Sequence, residues 1–91
     1  MYCITLACDG ISPEHGSQVA ADVLDEFRHR PWQQIFSCQW EGETVVLVGK
    51  NDFDTTGDAL ADEFSDAIAA NWDGGYFVRI VNVIKEPESA A

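Results

Sequence analysis

Five residues in the middle of the chain have the types and the spacing of a calcium-binding loop. Asp52, Asp54, Thr56, Gly57 and Glu63 fit the pattern D-x-D-x-[ST]-G-x5-E. In such a loop, oxygen atoms alternate around a glycine turn and converge on one cation, because Ca²⁺ prefers oxygen ligands. The pattern therefore offers a candidate cation site formed by Asp52, Asp54, Thr56 and Glu63.

The surroundings of this segment favour helix capping over cation binding. Residues 44–48 form an uninterrupted apolar and β-branched run, which predicts a buried strand entering the loop, whereas an EF-hand loop needs an entering helix. Leu60 also occupies a position where a polar ligand is usual. We therefore expect residues 54–56 to cap the helix that follows and Asp52 to be solvated. A weak cation site is the alternative.

The segment Asp52-x-Asp54-x-Thr56 also resembles the first motif of the haloacid-dehalogenase-like phosphatases. The resemblance implies an aspartate nucleophile that acts with Mg²⁺. In that family the nucleophile follows its strand directly, whereas residues 49–51 intervene here. The other motifs of the family need a much longer domain than 91 residues allow. These departures argue against phosphatase chemistry.

A cysteine and a histidine near the end of the first predicted strand could form a nucleophile pair. Cys8 and His15 flank a loop that leads into a helix, whose N-terminus could lower the pKa of a thiol. A phosphatase loop of the C-x5-R kind is excluded because Glu14 stands where the arginine is needed. We therefore expect Cys8 to pack in the core and His15 to face solvent.

The net charge excludes several classes of partner. The chain has 16 acidic and 5 basic residues, which gives a formal net charge of −11 at pH 7. Direct binding to nucleic acid or to an anionic membrane is disfavoured, because both depend on lysine and arginine. A basic protein partner, a bound cation or a solvating role remains, and a high-salt host would also favour this composition.

Other features of the composition predict an intracellular, cytoplasmic protein. No run of about 18 apolar residues is present, so we expect no membrane span. The first residues lack the basic start and the apolar length of a secretory signal. The 3 cysteines are odd in number and form no CxxC pair, which is typical of free thiols.

Hydrophobic periodicity predicts the order strand, helix, strand, strand, helix, strand. We expect the strands near residues 2–8, 33–40, 44–48 and 76–85. The first helix could begin at Ser12-Pro13-Glu14 or a turn later at Gly16-Ser17, and it should end before Pro31. The second helix should have Thr55 as its N-cap. This order is typical of an α+β ferredoxin-like βαββαβ sandwich, in which two helices cover one face of a four-stranded antiparallel sheet.

The domain organisation is expected to be simple. No repeat, linker or low-complexity segment interrupts the chain. We expect residues 1–85 to form a single domain and residues 86–91 to form a disordered C-terminal tail.

This fold class leaves one face of the sheet open. Alternation along the first and last strands predicts these residues on that face: Cys3, Thr5, Ala7, Phe77, Val81 and Val83. An apolar patch of this kind is typical of an interaction surface. We therefore expect the face to form a homodimer or to contact a partner.

Several functions found on this topology lack their signature residues here. RNA-recognition domains need sheet aromatics among basic residues, and the two central strands have neither. Iron–sulfur ferredoxins need four spaced cysteines, and heavy-metal-binding domains need a CxxC pair. Asp9-Gly10 and Gly16 are similar to the turn before the first helix of small-molecule-sensing ACT domains. That resemblance implies a dimeric regulatory domain that senses a small ligand or a cation.

The two predicted helices carry the clearest candidate binding surface. Asp58, Asp62 and Asp66 recur every four residues, so their Cβ atoms should lie about 5–6 Å apart in one row. That spacing is of the same order as the spacing of phosphates along a nucleic-acid strand. The first helix adds three carboxylates to the same layer: Asp22, Asp25 and Glu26.

Together these patterns predict a non-enzymatic protein-binding module without a cofactor. Its acidic helix face would bind a basic protein, and in the leading version it would inhibit a nucleic-acid-binding protein by mimicking nucleic-acid charge. The strategy is similar to that of small phage-encoded anti-defence inhibitors and of nuclease inhibitors. The ACT-like dimeric sensor is the alternative function, and a merely solvated helix face is the remaining interpretation.

Overall fold

The computed structural model describes residues 1–86 of the chain. These residues form the following elements: β1 (Tyr2–Asp9), α1 (Pro13–Glu26), a short 3-10 helix (Phe27–His29), β2 (Gln34–Trp40), β3 (Thr44–Asn51), α2 (Asp58–Asn71) and β4 (Phe77–Lys85). The predicted order of strands and helices is therefore confirmed. Residues 87–91, which make up most of the predicted tail, lie outside the described residues.

The strands form one antiparallel sheet in the order β2-β3-β1-β4. β1 pairs with β3 on one side and with β4 on the other, which leaves β2 and β4 at the edges. Both helices share one hydrophobic core with the sheet. The predicted ferredoxin-like βαββαβ sandwich is confirmed.

Alternation along the two central strands produces the sheet side of the core. Ile4, Leu6 and Cys8 of β1 are fully buried, and so are Val45 and Leu47 of β3. Successive side chains of a strand point to opposite faces, so these five share the face that the helices cover. α1 lies over β2 and β3, and α2 lies over β4.

Each helix buries one apolar stripe with helical spacing. The buried residues are Gly16, Val19, Ala20 and Val23 in α1, and Leu60, Phe64, Ala67 and Ile68 in α2. Pro13 occupies the first turn of α1, as predicted, and the 3-10 helix continues α1 at its other end. Within residues 1–86, no helix is both long enough and apolar enough to cross a bilayer.

A β-bulge in β4 changes which of its side chains face the open side of the sheet. The pairing of β4 with β1 shifts between Thr5 and Leu6, and Val81 is the extra residue. The alternation beyond Val81 is therefore reversed relative to a regular strand. The sequence pattern predicts Val83 on the open face, but Val83 packs against the core on the helix side. Ile84, opposite Cys3, lies on the open face instead.

The last described residue is attached to the sheet. Glu86 donates its backbone N–H to the carbonyl oxygen of Met1, and its carboxylate pairs with Lys50. Glu86, the first residue of the predicted tail, is therefore bonded to the sheet.

Close packing of α1 against β2 depends on a glycine. A Cβ atom on Gly16 would lie 2.2 Å from Cδ2 and Cε3 of Trp40, which is well inside van der Waals contact. Glycine inside a helix costs about 0.5–1 kcal/mol relative to alanine. The helix therefore gives up intrinsic stability in order to accept the indole ring.

Replacing Gly16 with alanine should destabilise the fold by about 1–3 kcal/mol, because overpacking against Trp40 outweighs the gain in helix propensity. Urea unfolding measures the loss. In a Trp40→Leu background the same substitution should be neutral or stabilising, since the ring is absent. An equal loss in both backgrounds would show that Trp40 is not the obstacle.

Candidate functional site

The loop before α2 is organised by a buried carboxylate. Asp54 is 5% exposed and accepts hydrogen bonds from the backbone N–H groups of Gly57, Ala59 and Leu60, at 3.0, 3.3 and 2.9 Å. The N–H groups at the start of a helix have no partner within the helix. Asp54 supplies that partner, so it caps α2 from outside the helix.

The helix start differs in detail from the prediction. Thr55 is the predicted N-cap, but the N-cap position is taken by Gly57, whose φ of 85° is left-handed. The hydroxyl of Thr56 donates to the carboxylate of Asp58 at 3.0 Å. Of the predicted capping segment, Asp54 therefore has the main role, because it reaches the first-turn N–H groups from a distance.

Glu63 belongs to a separate polar cluster. Its carboxylate accepts hydrogen bonds from the indole N–H of Trp32 at 2.9 Å and from the side-chain amide of Gln33, and its carbonyl oxygen accepts one from Arg30. Gln33 is buried, and its amide oxygen accepts a hydrogen bond from Asn51 at 3.0 Å. The cluster joins α2 to the segment that leads into β2.

The four residues of the candidate cation site are therefore not brought together. Asp54 and Glu63 are engaged in different clusters, Thr56 bonds to the helix start, and Asp52 is exposed, as predicted. Among residues 1–86, no three His, Cys, Asp or Glu side chains are grouped closely enough to hold a metal ion. The contacts of the loop serve to start α2.

Cys8 and His15 have separate surroundings. Cys8 is fully buried, and burial, together with the neighbouring Asp9 carboxylate, raises the pKa of its thiol to about 11. His15 is exposed; its Nδ1 is 2.7 Å from the hydroxyl of Ser12, and its ring centroid is 5.4 Å from that of Trp72. Since the thiolate is the reactive form of cysteine, Cys8 is poorly suited to nucleophilic attack.

The turn that is similar to the ACT-domain turn makes contacts within the fold. Gly10 has a φ of 100°, and a Cβ atom there would lie 3.0 Å from the carbonyl oxygen of Gly75. The carboxylate of Asp9 pairs with the guanidinium of Arg79 at 2.8 Å, and this hydrogen bond lowers the pKa of the Asp9 carboxyl. These contacts join the end of β1 to the start of β4.

The carboxylates of α2 face two directions. Asp58, Asp62 and Asp66 are exposed on the side opposite the buried stripe, whereas Glu63 points toward the segment before β2. Asp58 lies in the first turn, where a negative charge is favoured by the helix dipole. None of the ion pairs formed within residues 1–86 involves Asp62 or Asp66.

The predicted carboxylates of α1 have different surroundings. Asp25 is exposed and pairs with Arg28 at 3.0 Å, an exposed contact of low energy. Asp22 accepts a hydrogen bond from Gln18 at 2.9 Å, and Asp22 and Glu26 are half-buried. Asp25 therefore points outward, whereas Asp22 and Glu26 lie between the outward face of the helix and its buried stripe.

The side of α1 that carries Asp22 and Glu26 faces α2. His15, Asp22 and Glu26 are separated by seven and four residues, so they share one side of the helix. His15 contacts Trp72, which directly follows α2. Asp22 and Glu26 therefore lie on the side of α1 that faces α2.

The open face of the sheet carries four of its six predicted residues. The strand register places these side chains there: Cys3, Thr5, Ala7 and Phe77. Phe77 is 65% exposed and Val81 is exposed at the bulge, whereas Cys3 and Thr5 are half-buried and Ala7 is buried. Val83 faces the helices because the bulge at Val81 reverses the alternation of the strand. The open face is thus partly apolar, and neither helix of residues 1–86 covers it.

Sequence reasoning missed the basic residues of the open face. Arg79 pairs with Asp9, and Lys50 pairs with Glu86. A signal was present for Arg79, because it follows Phe77 by two residues and must share its face in a regular strand. No local signal marks Lys50, which lies beyond the predicted end of its strand.

Comparisons with known proteins do not place the chain in a family. Neither a scan against protein-family profiles nor searches of curated proteins and of solved structures returned a significant match.

Replacing Asp54 with alanine should lower the free energy of unfolding by about 2–3 kcal/mol, because several N–H groups lose their acceptor. Asp52→Ala is the matched control: it removes an exposed carboxylate from the same loop and should change stability by less than about 0.5 kcal/mol. Urea unfolding measures both changes. A Ca²⁺-dependent rise in melting temperature that Asp52→Ala abolishes would instead support the cation site.

The buried thiols should be unreactive in the native protein. Burial also raises the pKa of Cys38, to about 12, so Cys8 and Cys38 stay protonated near neutral pH. A thiol reagent at about pH 8 should modify only the partly exposed Cys3 until the protein is unfolded. A Cys3→Ser variant should then have no fast-reacting thiol in its native state. Rapid modification of Cys8 in that variant would contradict the structural role.

Proposed function

We propose that this chain is a non-enzymatic binding module whose acidic helix layer contacts a basic protein. In the leading version that protein binds nucleic acid, and the module inhibits it by charge mimicry. The acidic helix layer consists of the following residues: Asp22, Asp25, Glu26, Asp58, Asp62 and Asp66. The observation that carries the proposal is the separation of charge between the helices and the strands.

α1 and α2 contain no lysine or arginine, although they contain eight carboxylates. Asp25 is paired with Arg28, and Glu63 is bonded within the fold. The basic residues of the chain lie in or near the 3-10 helix and in β3 and β4. Arg28 and Arg30 lie on the helix side at the end of α1, but the eight carboxylates of the helices outnumber them, so the helix side of the molecule is net negative.

The repulsion between Asp62 and Asp66 of α2 is unfavourable for folding. Like charges four residues apart on a helix destabilise it by about 0.2–0.5 kcal/mol per pair. Asp62 and Asp66 form no ion pair with another described residue that would offset this cost. A row that lowers stability is consistent with a role in binding, because binding sites often conflict with stability.

The row also suits a surface that normally contacts phosphates. Proteins bind the nucleic-acid backbone through lysine and arginine side chains. Aspartates whose Cβ atoms are about 5–6 Å apart along a helix present a comparable series of negative charges. Because this chain has a net charge of −11, long-range attraction would speed its association with a basic partner. Salt would screen this attraction.

Removing three charges from the acidic helix layer should weaken partner binding at least ~10-fold, because the attraction is concentrated there. Wild-type protein should retain nucleic-acid-binding proteins from host lysate at ~50 mM salt and release them at ~500 mM salt or on addition of competing DNA or RNA. The test variant carries these substitutions: Asp22→Asn, Asp62→Asn and Asp66→Asn.

A matched control changes the net charge equally on exposed loop residues. It carries these substitutions: Glu41→Gln, Glu43→Gln and Asp73→Asn. The control should retain the partner. Equal binding by the two variants, or no nucleic-acid-binding protein retained at low salt, would contradict the proposal. Urea unfolding shows whether the test variant is folded, and its stability should rise by a few tenths of a kcal/mol.

A further inference from the structure

The exposed apolar side chains are concentrated on the sheet and in the segments beside it. Nine large hydrophobic residues are exposed among residues 1–86, and Leu24 alone among them lies on a helix. Phe36, Phe77 and Ile84 are the most exposed of those on the strands, at 61%, 65% and 57%. Phe77 and Ile84 lie on the open face by their pairing with β1, whereas Ile80, which pairs with Leu6, faces the helices. Exposed apolar residues on an uncovered sheet face are typical of an interaction surface.

The same face is almost neutral. Its charged groups form two pairs: Lys50 with Glu86, and Arg79 with Asp9. Lys50 also places its ammonium 5.1 Å from the ring centroid of Phe36, the extra residue of a bulge in β2. A neutral, partly apolar surface of this size stands out in a chain whose net charge is −11.

We propose that a second copy of this chain binds to the open face, which gives a back-to-back dimer with both helix layers outside. A basic partner is attracted to the acidic helix layer, whereas another copy is repelled by it. The open face lets two acidic copies approach without placing like charges together.

The dimer keeps the acidic layers far apart. Two packed sheets lie about 10 Å from each other, and a helix layer is about 10 Å thick, so the outer acidic surfaces would be roughly 30 Å apart. The Debye length is about 8 Å at physiological ionic strength. Repulsion between the two copies is therefore mostly screened in this arrangement.

The area of the face is of the order that a dimer needs. Four strands of about eight residues cover roughly 500 Å² in plan, and the protruding Phe36 and Phe77 add to the accessible surface. A standard interface buries about 800 Å² on each partner. Edge-to-edge pairing is less favourable, because both edge strands are interrupted by bulges, at Phe36 and Val81.

Sedimentation velocity of the full chain over about 5–500 μM tests the inference, since dimer population depends on protein concentration. Wild type should dimerise, and ~500 mM salt should preserve or strengthen the dimer by screening repulsion. Ile84→Lys should raise the dissociation constant at least ~10-fold, because it places a charge in the interface. Leu24→Lys makes the same change on a helix and should have no effect.

Cys3 provides a second measurement on the same face, because it lies opposite Ile84. Its rate of modification should fall as wild-type concentration rises, and should not fall in Ile84→Lys. Circular dichroism checks folding, and Phe77→Lys replaces Ile84→Lys if the latter does not fold. A monomer at every concentration and salt would overturn the proposal. A dimer that the sheet variants leave intact, or that Leu24→Lys dissociates, would also overturn it.

Discussion

The buried carboxylate of Asp54 determines where α2 begins, and the surface of the helix layer depends on that start. The Asp54 carboxylate accepts hydrogen bonds from three backbone N–H groups. The first turn of α2 therefore cannot move along the sequence without leaving these donors unpaired. A shift of one residue would rotate the helix by about 100°. Asp62 would then leave its exposed position, and Glu63 would lose its contacts with Trp32 and Gln33.

Most of the fold can be predicted from the sequence, because the periodicity of apolar residues depends only on positions that are close together in the chain. Alternation in β1 correctly separates Ile4, Leu6 and Cys8 from the open-face residues. The position of Val83 could not be read in the same way, because the bulge at Val81 arises from pairing with β1, which a single strand does not encode. The sheet face on which each side chain of an edge strand lies can therefore be predicted only as far as the first bulge.

Prediction from the sequence is limited in the same way for the charged residues of the candidate surfaces. Asp62 and Glu63 are adjacent carboxylates of similar chemistry, but Asp62 is exposed whereas Glu63 is half-buried. The difference comes from Trp32 and Gln33, which are about thirty residues away in sequence and donate to Glu63. The positions of acidic residues on a helix can thus be predicted from the sequence. The partners that bind one of these residues and partly bury it cannot be predicted, because they are distant in the chain.

The separation of charge gives the two surfaces opposite responses to salt. Binding through Asp62 and Asp66 would rely on long-range attraction, which salt weakens, whereas contact through Phe77 and Ile84 would rely on apolar burial. Salt also reduces the repulsion between two copies of net charge −11, so self-association through the sheet should persist where partner binding is lost. A dimer formed in this way would present an acidic layer on each outer side. It could therefore engage two basic surfaces at once, and the gain from such bivalent binding would itself disappear as the salt concentration rises.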